Sequence, residues 1–165
     1  MHFHNSQGII VFDPVPLTGS VDKMFKPGWM LLSVRCDIDK YYRWFLRKRY
    51  GIELMMPAWG PHISVIRGEG INGEGNNLDK ELWQSFKDKY NGQKVDFFHE
   101  VEPRTNGKHW WLRVECEYLK NIRHEMGLDK EGKFNLHLTL GMPHPLHLDH
   151  SYYIWKLYRN KLLNI

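Results

Sequence analysis

Pro61-His62-Ile63-Ser64-Val65-Ile66-Arg67 reads as a β-strand, and the way its residues alternate decides the fold. Side chains on a strand point to opposite faces in turn. His62 and Ser64 therefore share one face, and Ile63 and Val65 the other. The pattern returns 75 residues further on, counting from His62 to His137, in the strand-like run Phe134 to Leu140. There His137 and Thr139 share a face, and Leu136, Leu138 and Leu140 take the opposite one. Each strand can bury its apolar edge under a helix while offering an imidazole and a hydroxyl on its far side. Two such strands facing each other make a cleft with two histidines and two hydroxyls.

The elements around these strands repeat a layout. Gly28 to Arg35 is a buried strand by composition, and Ile38 to Tyr50 is a helix. Ile38, Tyr42, Phe45 and Leu46 share its inner face, Asp37 or Asp39 is placed to cap it, and the basic residues from Lys40 to Arg49 form a solvated side. A Gly/Asn loop spans 68–77. A helix follows at 78–90, with Leu78, Leu82, Trp83, Phe86 and Tyr90 on one stripe. Strands with alternating apolar residues cover 95–101 and 110–116. A short helix around Leu119, Ile122 and Met126 is closed by Gly127. A last helix spans 150–163, with Ile154, Leu157, Tyr158 and Leu162 inward. This order predicts an α+β fold with antiparallel sheets, flanking helices and two similar halves. Residues 1–27 read as an N-terminal extension with one short strand at Gly8 to Phe12, stopped by Asp13-Pro14-Val15-Pro16.

The 165 residues fit one domain, 1–165, long enough to bury a core without staples. A chain 42% hydrophobic and 25% charged is neither disordered nor fibrous. No window approaches about 18 apolar residues, so no membrane span is expected. The N-terminus lacks a basic segment followed by an apolar one. Cys36 and Cys116 sit in apolar runs without a second cysteine nearby, as buried thiols of a reducing, cytoplasmic setting do. The net charge of +4 permits an anionic partner but does not name one.

Two imidazoles and two hydroxyls are what phosphodiester cleavage needs. One imidazole takes a proton from the attacking oxygen, and the other gives one to the leaving oxygen. Both titrate near neutrality, so one can be neutral while the other is charged. The hydroxyls can hydrogen-bond the non-bridging oxygens. No metal or cofactor is required.

Trp59-Gly60-Pro61-His62-Ile63-Ser64-Val65-Ile66 and Phe134-Asn135-Leu136-His137-Leu138-Thr139-Leu140-Gly141 resemble the paired signatures of the 2H phosphoesterase superfamily. The resemblance extends over 28–163 in layout and over about 15 residues in motif detail. It implies two pseudo-symmetric lobes of antiparallel sheet with flanking helices around a central cleft. It also implies His62 and His137 as general base and acid, with Ser64 and Thr139 binding phosphate. The chain further resembles the phage branch that degrades the cyclic oligonucleotide signals of bacterial anti-phage immunity, which would act in the host cytoplasm. The implied substrate is a cyclic oligonucleotide or other small nucleotide phosphodiester. An enzyme of 2′,3′-cyclic phosphates or RNA ends is the alternative, and a non-catalytic nucleotide binder is the third.

Three other stretches and two tryptophans also carry chemistry-bearing side chains. His4-Asn5-Ser6 also matches the short motif, but in a polar, turn-like end without alternation. Gly68-Glu69-Gly70-Ile71-Asn72-Gly73 mimics a dinucleotide loop. However, no helix opens at its last glycine, and Glu69 and Glu74 would repel a pyrophosphate, so it reads as a cleft rim. Pro143-His144-Pro145-Leu146-His147-Leu148-Asp149-His150 holds potential metal ligands without a fixed spacing. It reads as a turn before the last helix, with Asp149 as its cap and no metal site. Trp29 and Trp155 are the aromatic candidates for stacking on a substrate base.

Overall fold

The computed structural model describes residues 2–17, 28–34, 37–69 and 80–163, the last three by backbone only. Cys36, residues 70–77 of the rim loop, Leu78 and the Leu162 side chain lie outside the described residues. The strands are β1 (Phe3–Phe12), β2 (Trp29–Ser33), β3 (Leu54–Met55), β4 (His62–Arg67), β5 (Lys94–Glu100), β6 (Arg104–Thr105), β7 (Trp110–Glu115) and β8 (His137–Pro143). The helices are α1 (Ile38–Tyr50), α2 (Lys80–Tyr90), α3 (Glu117–Glu125) and α4 (Leu148–Leu163), the last entered through a 3₁₀ turn at Pro145–His147.

The fold is α+β, and its pairings are antiparallel. The strand order is β3-β8-β4-β2-β1-β5-β7-β6, and β7 also pairs with β8. That extra pairing closes six strands into a barrel and leaves β3 and β6 as appended strands. The segment read as an N-terminal extension therefore supplies a full strand of the barrel: β1 lies between β2 and β5. After Phe3 its first half is polar on both faces, so no alternation marks it, and backbone hydrogen bonding to β5 from Phe3 to Ile9 holds it in the sheet.

Register shows where the core sits. Ile10, Leu32, Ile63, Leu138 and Leu112 are cross-strand partners in one row over five strands, and each is fully buried. Complete burial of one such side chain stabilises by about 1.5–3 kcal/mol. The helices pack on this apolar face. Phe12 meets Trp83 of α2, Trp110 meets Tyr50 of α1, and the Trp110 indole N–H donates to the Ser151 hydroxyl of α4 at 2.9 Å.

Several local expectations need correction. Asp37 occupies the position before α1, but its carboxylate pairs with Lys40, while Asp39 pairs with Arg43, so neither side chain caps the helix. Asp149 lies within the first turn of α4 and is not its cap. Leu82 and Leu157 are exposed, because each helix needs only a narrow stripe against the sheet. His4-Asn5-Ser6 belongs to β1. His4 is paired with His99 and stacks on its ring at 6.0 Å, where Tyr42 of α1 also touches His99. That motif is thus on the helix-covered face. The histidines of the 143–150 turn anchor it: His147 Nδ1 accepts from the Glu53 amide, and His150 Nε2 lies 2.6 Å from the Tyr50 carbonyl.

Gly141 interrupts β8 with φ +147°, and a methyl there would collide with the Met55 carbonyl oxygen of β3. Gly141→Ala is expected to destabilise the fold by more than about 1 kcal/mol in chemical denaturation. Wild-type stability in that variant would mean that β3 does not pack against β8 in this way.

Candidate active site

The two motif strands are hydrogen-bonded neighbours. His62 of β4 pairs with Thr139 of β8, and Ile63 with Leu138. Beyond the last paired residues the same register points Ser64 toward His137, and both line one cavity. Residues directly opposite approach to about 4.5–5.5 Å between Cβ atoms, and diagonal pairs to roughly 7–8 Å. The four residues singled out in the sequence thus form one patch, with the imidazoles on a diagonal. The patch extends sideways: Ser33 of β2 pairs with His62, Trp111 of β7 with Thr139, and Arg113 of β7 with His137. All of these are on the face turned away from the helix-covered core row.

Each imidazole is oriented by the chain just before it. His62 Nδ1 lies 2.7 Å from the Gly60 carbonyl, and His137 Nδ1 lies 2.8 Å from the Asn135 carbonyl. A carbonyl oxygen only accepts, so Nδ1 carries the proton in both rings. In the neutral form each Nε2 is then left with a free lone pair. Gly60 makes this turn possible, with φ +69°. Among the described residues, neither the Ser64 nor the Thr139 hydroxyl is used in a protein hydrogen bond, so both are available to a ligand.

Both histidines are held below the usual imidazole pKa. Burial is the main cause in each. The Arg67 charge pushes both the same way, His137 adds to the effect on His62, and His109 adds to the effect on His137. At neutral pH both rings are therefore neutral bases.

Arg67 was not among the sequence candidates. It lies five residues after His62, and strict alternation sends it to the apolar face. The strand is bulged, however. Leu31 pairs with Ser64 and Met30 with Ile66, so Val65 is extra and the phase shifts by one. Arg67, opposite Trp29, returns to the histidine face. The buried Arg123 of α3 pins this bulge. Its guanidinium donates to the Val65 carbonyl at 2.6 Å and to the Asp129 carbonyl at 2.7 Å, and it pairs with Glu69 at 3.1 Å. Ser64, Arg67 and His137 together line a cavity of about 150 Å³, whose far wall comes from Arg123 and residues 131–134.

The two tryptophan candidates separate. Trp29 packs on Trp59 at 5.5 Å between ring centroids, and Trp59 meets His62 edge-on at 5.8 Å, so Trp29 borders the site. Trp155 does not. Its ring contacts are Tyr152 and the Arg159 guanidinium, one turn beyond the serine that binds Trp110 on the covered face. Trp111 is the aromatic on the site face of β7, and it meets His137 edge-on at 6.2 Å. The neighbouring inward residue Trp110 was the signal that Trp111 points the other way.

No group of three His, Cys, Asp or Glu side chains among the described residues is placed to hold a metal ion. Likewise, no helix of the described residues is long and apolar enough to cross a membrane. No family model, curated protein or solved structure matches the chain.

The lowered histidines link stability to pH. His62, His99, His109 and His137 are all depressed, chiefly by burial. The unfolded chain binds protons at about pH 6.5, before the folded one does. Stability is therefore fully present above that pH and falls as pH drops through the folded values. Denaturation midpoints should decline from pH 7 to pH 5, and His62→Asn should flatten the decline. An equal slope in that variant would show that His62 is not held neutral.

Proposed function

We propose that the protein is a phosphodiesterase of the 2H type that opens a 3′–5′ linkage in a cyclic oligonucleotide without a metal ion. On this reading, the two halves of the closed sheet correspond to the two lobes of that family. The observation that carries the proposal is the pair of imidazoles on one sheet face, each with Nδ1 tied to a backbone carbonyl and Nε2 free. The free hydroxyls of Ser64 and Thr139 beside them support it.

The steps follow from that arrangement. A neutral imidazole takes the proton of the attacking oxygen, a ribose 2′-OH or water. The new P–O bond forms as the bond to the leaving oxygen breaks. The second imidazole, protonated by then, gives its proton to that leaving oxygen. Ser64 and Thr139 donate to the non-bridging oxygens as negative charge builds there. Both rings are neutral before substrate arrives, so the acid must gain its proton in the complex. A bound phosphodiester carries a negative charge that offsets Arg67 and raises the imidazole pKa. His137 is less buried than His62, so it is the ring that takes up this proton, which leaves His62 as the base.

Incubation with EDTA against cyclic dinucleotides, cyclic trinucleotides and 2′,3′-cyclic mononucleotides, followed by chromatography, tests the proposal. Linear products from cyclic oligonucleotides are expected. His62→Gln and His137→Gln should each lower turnover by about 10²–10⁴-fold while the protein stays folded. Cleavage of only the mononucleotides would move the assignment to the 2′,3′-cyclic class. Recovery of every ligand intact would make the protein a binder, and full activity in either variant would end the two-histidine mechanism.

A further inference from the structure

The cavity beside His137 carries an imbalance of charge that the catalytic pair does not explain. Five charged residues line it: Arg67, Arg123, Lys133, Glu69 and Glu131. Both carboxylates are already matched. Glu69 pairs with Arg123 at 3.1 Å, and Glu131 with Lys120 at 2.8 Å. Among the described residues, neither the Arg67 nor the Lys133 side chain is in an ion pair, and Glu69, already held by Arg123, acts on the Arg67 charge only from beyond salt-bridge distance. Both cations nevertheless converge on one ring. The Arg67 guanidinium is 5.4 Å from the Phe134 centroid and the Lys133 ammonium 5.7 Å. Two cations held at one ring are each attracted by its quadrupole but repel each other. An anion bound in the cavity that both line would relieve that repulsion.

We infer that Arg67 and Lys133, seated on Phe134, form an anion site for the phosphoryl group presented to His62 and His137. This deepens the phosphodiesterase reading and rests on it. The size fits a phosphoryl group. A volume of about 150 Å³ is at most half that of sites for drug-sized ligands, at about 300–1,000 Å³, so a whole nucleotide must leave its base and sugar outside. The chemistry fits as well. A guanidinium presents a planar fork that matches two phosphate oxygens, while an ammonium acts as a point charge. The Val65 bulge delivers the fork beside the imidazoles. Arg67 thereby has two effects: it binds the oxygens, and its positive charge adds to burial in keeping both rings neutral until an anion arrives.

The test uses the full chain and inorganic phosphate, read through the imidazole NMR signals of His62 and His137. Wild type should show a saturable shift of both signals. Arg67→Gln, shorter and uncharged but still polar, should weaken phosphate binding by about tenfold or more, and Lys133→Ala by a smaller factor. Arg67→Gln should also raise the pKa of both rings in the absence of phosphate. Arg67→Lys should keep the low pKa values yet bind phosphate less tightly, because the fork is lost. A wild-type protein whose two signals do not respond to phosphate overturns the inference, as does an Arg67→Gln variant with unchanged affinity and unchanged imidazole pKa. These readouts need no turnover. If phosphate binding depends on Arg67 but no cyclic oligonucleotide is cleaved, the anion site stands and the phosphodiesterase reading fails. If cleavage needs both histidines and Arg67→Gln alters nothing, the reverse holds.

Discussion

The ladder between β4 and β8 is the constraint on which the rest depends. Its register, His62 against Thr139 and Ile63 against Leu138, sets two things at once. It completes the apolar row from Ile10 to Leu112 that the helices cover, and it gathers the imidazoles and hydroxyls on the opposite face. A slip of one residue would turn every side chain of a strand over. A slip of β4 would press His62 into the core and expose Ile63, and a slip of β8 would do the same with His137 and Leu138. The apolar row makes that slip costly, so the burial that stabilises the sheet also fixes the chemical site. Because β8 also pairs with β7, the same strand closes the barrel and brings Trp111 and Arg113 beside the histidines.

One departure from regularity refines this arrangement. The bulge at Val65 frees a carbonyl from the ladder, and Arg123 satisfies it from α3. A buried arginine is tolerated there because three acceptors surround it: two backbone carbonyls and the Glu69 carboxylate. Gly132 leaves room for it, since a side chain at that position would lie 3.0 Å from the guanidinium. The bulge, the buried cation and the glycine form a unit whose result is the placement of Arg67. Burial and that positive charge act in the same direction on both imidazoles, and among the described residues no carboxylate makes hydrogen-bonding contact with their rings.

Much of this was legible in the sequence because it depends on periodicity. Alternation in 62–65 and 136–140 identified the faces of β4 and β8, and the helical stripes located α1, α2 and α4 to within about two residues. What escaped detection depends on breaks in period or on partners far along the chain. Arg67 was invisible because a bulge shifts the phase of its strand, and nothing local marks Val65 as the extra residue. The first half of β1 was missed because its strand character comes from β5, some 90 residues away, and not from its own pattern. Trp155 was chosen for lying off the inward stripe of its helix, a criterion that cannot tell which side of the sheet the helix covers. The hydrogen bond between Trp110 and Ser151 settles that question only once the fold is known.

The central claim is that two neutral imidazoles share one sheet face, each holding its proton on Nδ1 and offering Nε2 to the cleft. Long-range ¹H–¹⁵N NMR of the histidine side chains at pH 7 tests it directly. For both His62 and His137, the spectrum should show a protonated Nδ1 and a bare Nε2. Cross-strand contacts from His62 to Thr139 should appear in the same sample. Protons on Nε2 in either ring, or an imidazolium at that pH, would contradict the geometry from which the chemistry is derived.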